Sequence, residues 1–533
     1  MQGAGRPCVV HERNHLEGAG TALVMEYPGM SSPKSSEYKL LINGQLVAGA
    51  GAPFPVVNPS NGQRFADCPQ ATAEQVDAAV RAASGALKSW SSSIERRRSC
   101  FLNAYAALVP HVSALADILH AEQGKPQSEA DSEVTNAIEM FKVATGADVP
   151  VTVVSETETH VCELHHRPIG VVAGIVPWNY PVHLVIRKIC EALIYGNTIV
   201  VKPSPYTPLS TLLLCDILRP VFPAGVLNAV AGVDTRDHDC VGEQLARHEL
   251  VAMISFTGSI VTGKRIAQNC SSKIARSLLE LGGNDPAIVL KDANVAETAE
   301  RVLQASLINN GQLCCAIKRV YVHRDIYEQY VALFPPLYFC NIWRRYVAET
   351  GRLARAMVKD VGVTLGPLNN AAQYSRVVEL VADAVSRGGV VVAGGKKPKH
   401  VRQAGFFYEP TVISNVAEGV RVVDEEQFGP VLPIISFDNE DEVISRANRT
   451  VYGLGASVWG RDAAAVNRVA CQMEAGMVWT NEHAADAPGL PAGGTKQSGM
   501  GRSSDFTEVD LNVFTEKHSV KLMKLPKKKK SSK

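Results

Sequence analysis

At 533 residues the chain exceeds what a single hydrophobic core organises, so two or three domains are expected. A charged fraction of 20% and a formal net charge of +1 give neither a basic field for nucleic acid nor an acidic one for cations, which leaves small molecules and copies of the same chain as partners. Twelve cysteines without a CxxC pair or a dense cluster argue against a disulfide framework and against a bound metal, and fit reduced thiols in the cytoplasm.

The first 36 residues carry Glu12, Glu17 and Glu26 and no sustained apolar core, so they read as a disordered extension, not a secretory signal or basic transit peptide. Residues 40–47 together with 55–58 read as an edge hairpin, and residues 71–130 as mostly helical from their Ala-rich periodicity. No run of 18 apolar residues occurs, so no membrane span is expected.

From residue 170 onward, β-branched runs at 170–176, 197–202, 225–230 and 250–256 alternate with helix-length segments. Such runs are strands buried on both faces, and their alternation with helices implies right-handed crossovers in a parallel sheet. The pattern restarts after Gly283, with strands at 287–290, 319–323, 431–437 and 477–480 and a helix at 295–309. The expected fold is α/β, with two doubly wound parallel-sheet domains. The first takes residues 37–148 and 171–281, and the second residues 282–498. The Lys-rich end, residues 526–533, reads as a solvated basic tail.

Four segments carry chemistry. Asn310-Gly311-Gln312-Leu313-Cys314-Cys315 supplies a thiol, and Glu280-Leu281-Gly282-Gly283-Asn284 supplies a carboxylate beside two glycines. Pro177-Trp178-Asn179-Tyr180-Pro181 adds an amide side chain, and Phe256-Thr257-Gly258-Ser259 a turn ahead of a helix. A thiol attacks a carbonyl as thiolate, the resulting alkoxide needs preorganised donors, and a thioester needs a base to activate water. A carboxylate at an apolar strand end is expected to have its pKa raised toward neutrality, which suits Glu280 to the last task. No GxGxxG follows the first strand of the sheet; Gly258-Ser259-Ile260-Val261-Thr262-Gly263 instead offers a helix N-terminus to a pyrophosphate.

Together the four segments resemble the aldehyde dehydrogenase superfamily over residues 38–333 and 362–525. The resemblance implies oxidation of an aldehyde to a carboxylic acid through a cysteine thiohemiacetal and thioester, with NAD or NADP as cofactor. It makes Cys314 the nucleophile, two places after the Gly-Gln pair, with Asn179 and the Cys314 N–H as oxyanion donors, Glu280 as base and Lys188 as a proton-relay or anchoring residue. On the cofactor side it implies Trp178, Lys202, Gly258, Ser259 and Gly263, with Glu426 on the nicotinamide ribose and Phe428 on the ring. Pro205 stands where many NAD-preferring members carry a Glu, which keeps NADP open. Residues 149–170 and 499–525 would form a small β arm that pairs subunits into a homodimer or homotetramer.

Three places depart from the family pattern. Residues 335–360 match nothing expected, Ala492 replaces a usual aromatic, and Ser503-Ser504 follow Gly501-Arg502 where a relay Glu is common. These departures define a rival reading, a cofactor-binding relative with little turnover. A second rival, thioester transfer to CoA, would not need Glu280.

Overall fold

The structure is a computed structural model and describes residues 38–233, 240–334, 365–398, 404–485 and 489–524. The N-terminal extension, the irregular segment at 335–360 and the Lys-rich tail lie outside the described residues.

Val171–Ile175 and Thr198–Lys202 are buried at every residue, as expected of strands covered on both faces. Val171–Ile175 lies inside an eight-stranded sheet. Thr198–Lys202 and Leu227–Ala229 follow on one side, Val251–Thr257 and Arg276–Glu280 on the other, all parallel. The chain order therefore reverses between Val171–Ile175 and Val251–Thr257, and the crevice outside the C-terminal ends of those strands is where such sheets bind ligands.

Leu40–Ile42 and Gln45–Val47 form the antiparallel hairpin at one edge, beside Leu227–Ala229. Residues 55–58 do not join it, contrary to the sequence reading. Gly51–Asn58 pairs with Gln63–Gln70 in a separate two-stranded sheet, and the second strand, QRFADCPQ, has too mixed a polarity to read as one. The helical region resolves into Ala73–Trp90, Ile94–Leu108, Val112–Gln123 and Gln127–Ala144. Residues Ile94–Gln123 are long and apolar enough to cross a membrane by length and composition alone. Phe101, Ala104, Leu108, Leu115 and Leu119 from that stretch are nonetheless buried in the core around the first sheet.

The second sheet has seven strands. Asp285–Val289 is flanked by Ile317–His323, Val431–Phe437 and Thr411–Ser414 on one side and by Gly455–Trp459 and Met477–Thr480 on the other, all parallel. Val390–Ala393 closes one edge antiparallel. Alternate residues of its strands feed two cores on opposite faces, Ile288 and Tyr321 into one, Ala287, Val289 and Val320 into the other. Thr515–Met523, His160–Pro168 and Thr152–Glu156 make a third, antiparallel sheet whose outer strand is exposed along its whole length.

Candidate active site

The nucleophile loop is held in an unusual backbone. Asn309 and Asn310 have φ of 49° and 58°, and Gly311 follows at 74°. Asparagine tolerates this left-handed region, and at Gly311 a Cβ would come within 2.2 Å of the Gly429 carbonyl. Gln312 locks the turn, donating from Nε2 to the Asn309 carbonyl (3.0 Å) and accepting at Oε1 from the Asn369 N–H (2.8 Å). Cys314 is thereby presented half-buried, next to a second half-buried thiol, Cys315. The pKa of Cys314 is held well above the ordinary range, first by its hydrogen bond to the Cys315 thiol and then by burial. The depressing environment that the chemistry called for does not surround it at rest, so the proton must be removed as the site works.

Asn179 lies in the loop between Val171–Ile175 and the helix Pro181–Ile194, and its Nδ2 donates to the Gln312 carbonyl at 3.0 Å. That bond ties the amide to the cysteine loop. From behind, Lys125 Nζ and Asn309 Nδ2 both donate to the Asn179 carbonyl at 3.0 Å. Lys125 is fully buried, forms an ion pair with Glu133 and stands 3.7 Å from the centre of the Tyr180 ring. Glu133 in turn accepts from the N–H groups of Val182 and His183, at 3.0 and 3.1 Å, capping the first turn of the helix. Removing one member of a buried ion pair strands the other. Lys125→Met is therefore expected to cost about 3–5 kcal/mol in unfolding free energy, read from urea titration.

Glu280 closes the strand Arg276–Glu280. Its Oε2 accepts from Thr257 Oγ1 at 3.0 Å and its Oε1 from Ser503 Oγ at 3.4 Å. Contrary to expectation, its pKa is not raised. Burial pushes it up, but Lys188 and Arg187, then the Thr257 and Ser503 hydroxyls, bring it below the ordinary carboxylate value. The apolar strand end visible in the sequence concealed two cations arriving from another element. Lys188, on Pro181–Ile194, is buried, donates to Ser255 Oγ at 3.0 Å, and has its own pKa lowered by burial. The two loops meet at Gly283, where a Cβ would come within 2.7 Å of the Cys314 carbonyl.

On the crevice side, Lys202 is buried at the end of its strand. Gly258 donates its N–H to the Glu280 carbonyl (3.0 Å), and Ser259 caps the helix Ile260–Lys273 by accepting from Thr262 N–H (3.2 Å). Gly263 lets that helix lie on Leu281; a Cβ there would come within 2.6 Å of its side chain. An exposed helix N-terminus beside a strand-end crevice fits a dinucleotide's pyrophosphate. From the second sheet, Glu426 Oε1 accepts from the Gly283 N–H (3.0 Å), and Phe428 meets Trp178 edge to face at 5.3 Å. Phe428 has a φ of 52°, and Gln373 Nε2 secures the turn by donating to the carbonyls of Gln427 (2.8 Å) and Phe428 (2.9 Å).

These contacts tie Asn179 to the Cys314 loop, the Glu280 loop to Cys314 and Glu426, and Trp178 to Phe428. Sequence reasoning missed Arg187, Lys125, Thr257 and Lys318, whose Nζ donates to the Cys314 carbonyl at 3.1 Å. Each is an ordinary-looking side chain; Arg187 and Lys125 reach Ser503 and Asn179 far along the chain, whereas the partners of Thr257 and Lys318 are nearer in sequence. Ala492 exchanges backbone hydrogen bonds with Ser503, and Ser504 donates its N–H to the Asp510 carboxylate. The ten cysteines among the described residues are all free thiols, and those residues hold no cluster able to bind a metal.

The profile described as the aldehyde dehydrogenase family matches residues 46–520. The chain is 36% identical to the Escherichia coli succinate-semialdehyde dehydrogenase [NADP(+)] GabD over 468 residues, 87% of this chain and 93% of that one. It is 35% identical to a mitochondrial aldehyde dehydrogenase of Leishmania tarentolae over 489 residues, 90% and 94% of the two chains. A Bacillus cereus aldehyde dehydrogenase solved as its NAD+ complex is similar in fold, with a TM-score of 0.83 at 32% identity, covering 91% of this chain and 96% of that one.

Proposed function

The chain belongs to the aldehyde dehydrogenase family, and from that premise we propose that it oxidises its aldehyde at Cys314, with Asn179 and Glu280 as partners and Lys188 beside the base. The reaction is NAD(P)-dependent oxidation of an aldehyde to a carboxylic acid. The observation that carries the residue assignment is the convergence of three loops: Asn179 bonded to Gln312, and Gly283 packed on Cys314.

The Cys314 thiol gives up its proton and its sulfur bonds to the aldehyde carbon. Glu280, ionised and facing it, is the base we assign to that proton. Negative charge then develops on the aldehyde oxygen, where the Asn179 amide and the Cys314 N–H supply donors. The nicotinamide ring, when bound, accepts the hydride that leaves this carbon. Trp178, Glu426 and Phe428 would hold the ring end, Gly258, Ser259 and Gly263 the pyrophosphate, and Lys202 the adenosine ribose or its phosphate. Glu280, after passing the thiol proton to solvent, takes a proton from water, whose oxygen attacks the thioester; the carboxylic acid leaves and the departing Cys314 sulfur takes that proton from Glu280 to become the thiol again. A held, ionised Glu280 favours hydrolysis over transfer of the acyl group to CoA.

We further read the enzyme as cytoplasmic and as a homodimer or homotetramer. The free thiols support the first. The exposed edge strand Thr152–Glu156, with Val153 and Val154 outward, supports pairing with a second copy. Purified protein given short aliphatic, long aliphatic and aromatic aldehydes, with NAD and NADP separately, is expected to form reduced cofactor. Silence toward all of them despite cofactor binding would favour the non-catalytic rival.

A further inference from the structure

Glu280 is gripped on both oxygens by hydroxyls, and only one of those hydroxyls leads on to a permanent charge. Thr257 Oγ1 holds Oε2 at 3.0 Å, from the strand next door. Ser503 Oγ donates to Oε1 at 3.4 Å and itself accepts from Arg187 Nη2 at 2.8 Å. Ser503 is fully buried, its backbone is pinned by two hydrogen bonds with Ala492, of 2.7 and 3.0 Å, and its hydroxyl is held between Arg187 and Glu280. Arg187 is steadied one helical turn on, its Nε donating to Glu191 Oε1 at 2.9 Å.

We infer that Arg187, acting through the Ser503 hydroxyl, is a positioning residue that orients the Glu280 carboxylate and keeps it ionised for thioester hydrolysis. The inference rests on the reading of Glu280 as the deacylating base. It assigns a purpose to the Ser503 departure: where the family commonly places a carboxylate, this chain places a relay to a guanidinium.

Of the two cations, Lys188 acts more strongly on Glu280 by charge alone, but its Nζ is bonded to Ser255, and Arg187 is the one that reaches the carboxylate through a hydrogen-bonded hydroxyl. Lys188 and Arg187 both face it from the helix Pro181–Ile194. Burial lowers the Lys188 pKa, whereas a guanidinium stays charged at any working pH. On the same helix Glu191 is buried against Arg187, and His183 is pushed by burial to about 4, hence neutral. Cys314 faces from the second sheet with its thiol protonated, and Asp510, raised to about 7 by burial, faces Arg187 and Glu191 from Glu508–Phe514. Near neutral pH, Arg187 is a fixed positive charge of this group and the one linked to Glu280 through a hydroxyl.

The test uses the acetyl-enzyme formed with 4-nitrophenyl acetate, its decay followed by intact mass across a pH series for the parent, Arg187→Met, Arg187→Lys and Ser503→Ala. Losing the cation raises the Glu280 pKa, so the acidic limb of decay should move up by about one pH unit in Arg187→Met, making decay there about tenfold slower. At alkaline pH the rates of decay should converge with the parent, and so should formation of the adduct, whose acidic limb moves the same way because the same carboxylate takes the thiol proton. Ser503→Ala should shift the limb the same way by less, and Arg187→Lys should restore most of the parent profile. A parent-like limb in both Arg187→Met and Ser503→Ala overturns the inference, as does an equal slowing at every pH. If Arg187→Met fails to fold, Ser503→Ala alone decides by the same criterion. A parent that forms no acetyl group on Cys314 overturns the site assignment itself, and the inference with it.

Discussion

Cys314→Ala is expected to abolish both aldehyde oxidation and ester hydrolysis, a loss on the order of 10⁴-fold or more, because it removes the sulfur assigned to the covalent adduct. The neighbouring thiol is the natural objection, since Cys315 is equally half-buried. It belongs to a different set of contacts, however, with its carbonyl on His483 Nε2 at 2.8 Å. The Gly283 turn of the base loop packs instead on Cys314. Cys315→Ala should therefore spare most activity. It should also remove the first cause of the raised Cys314 pKa, so the acidic limb of adduct formation should move to lower pH. Retained activity in Cys314→Ala alongside its loss in Cys315→Ala would reverse the nucleophile assignment.

Glu280→Gln is the second large effect. The amide cannot accept the proton of water, so thioester hydrolysis should slow by about 10²–10⁴-fold. Its size is close to that of the carboxylate, so one of the Thr257 and Ser503 hydroxyls keeps an oxygen to donate to while the other accepts from the new amide NH2. Stopped-flow traces should show a burst of reduced cofactor followed by slow steady turnover. Because Glu280 also takes the thiol proton, the burst itself slows on the acidic side, where the raised Cys314 pKa leaves little thiolate. Equal loss of burst and steady rate at all pH values would argue against a deacylating role.

Much of this was legible in the chain. The buried strands announced themselves as continuous apolar runs, and the cysteine, glutamate and asparagine motifs stand beside glycines and prolines that force recognisable turns. Gln63–Gln70 was not legible, because a strand in a two-stranded sheet need not be apolar. Nor was Arg187: one helix position before Lys188, it looks like any solvated cation until the fold brings Ser503 to it across more than three hundred residues. The Glu280 pKa was misread for the same reason. Burial can be inferred from apolar neighbours in sequence, whereas compensating charges arrive from elements that sequence alone does not place.

The central claim is a thioester on Cys314 that Glu280 resolves. The most direct measurement is mass spectrometry of Glu280→Gln mixed with propanal and either NAD or NADP, with the modified peptide fragmented to separate the two cysteines. The account predicts a propanoyl group on Cys314, accumulating only when cofactor is present. A propanoyl group on Cys315, or none at all while reduced cofactor still forms, would contradict it.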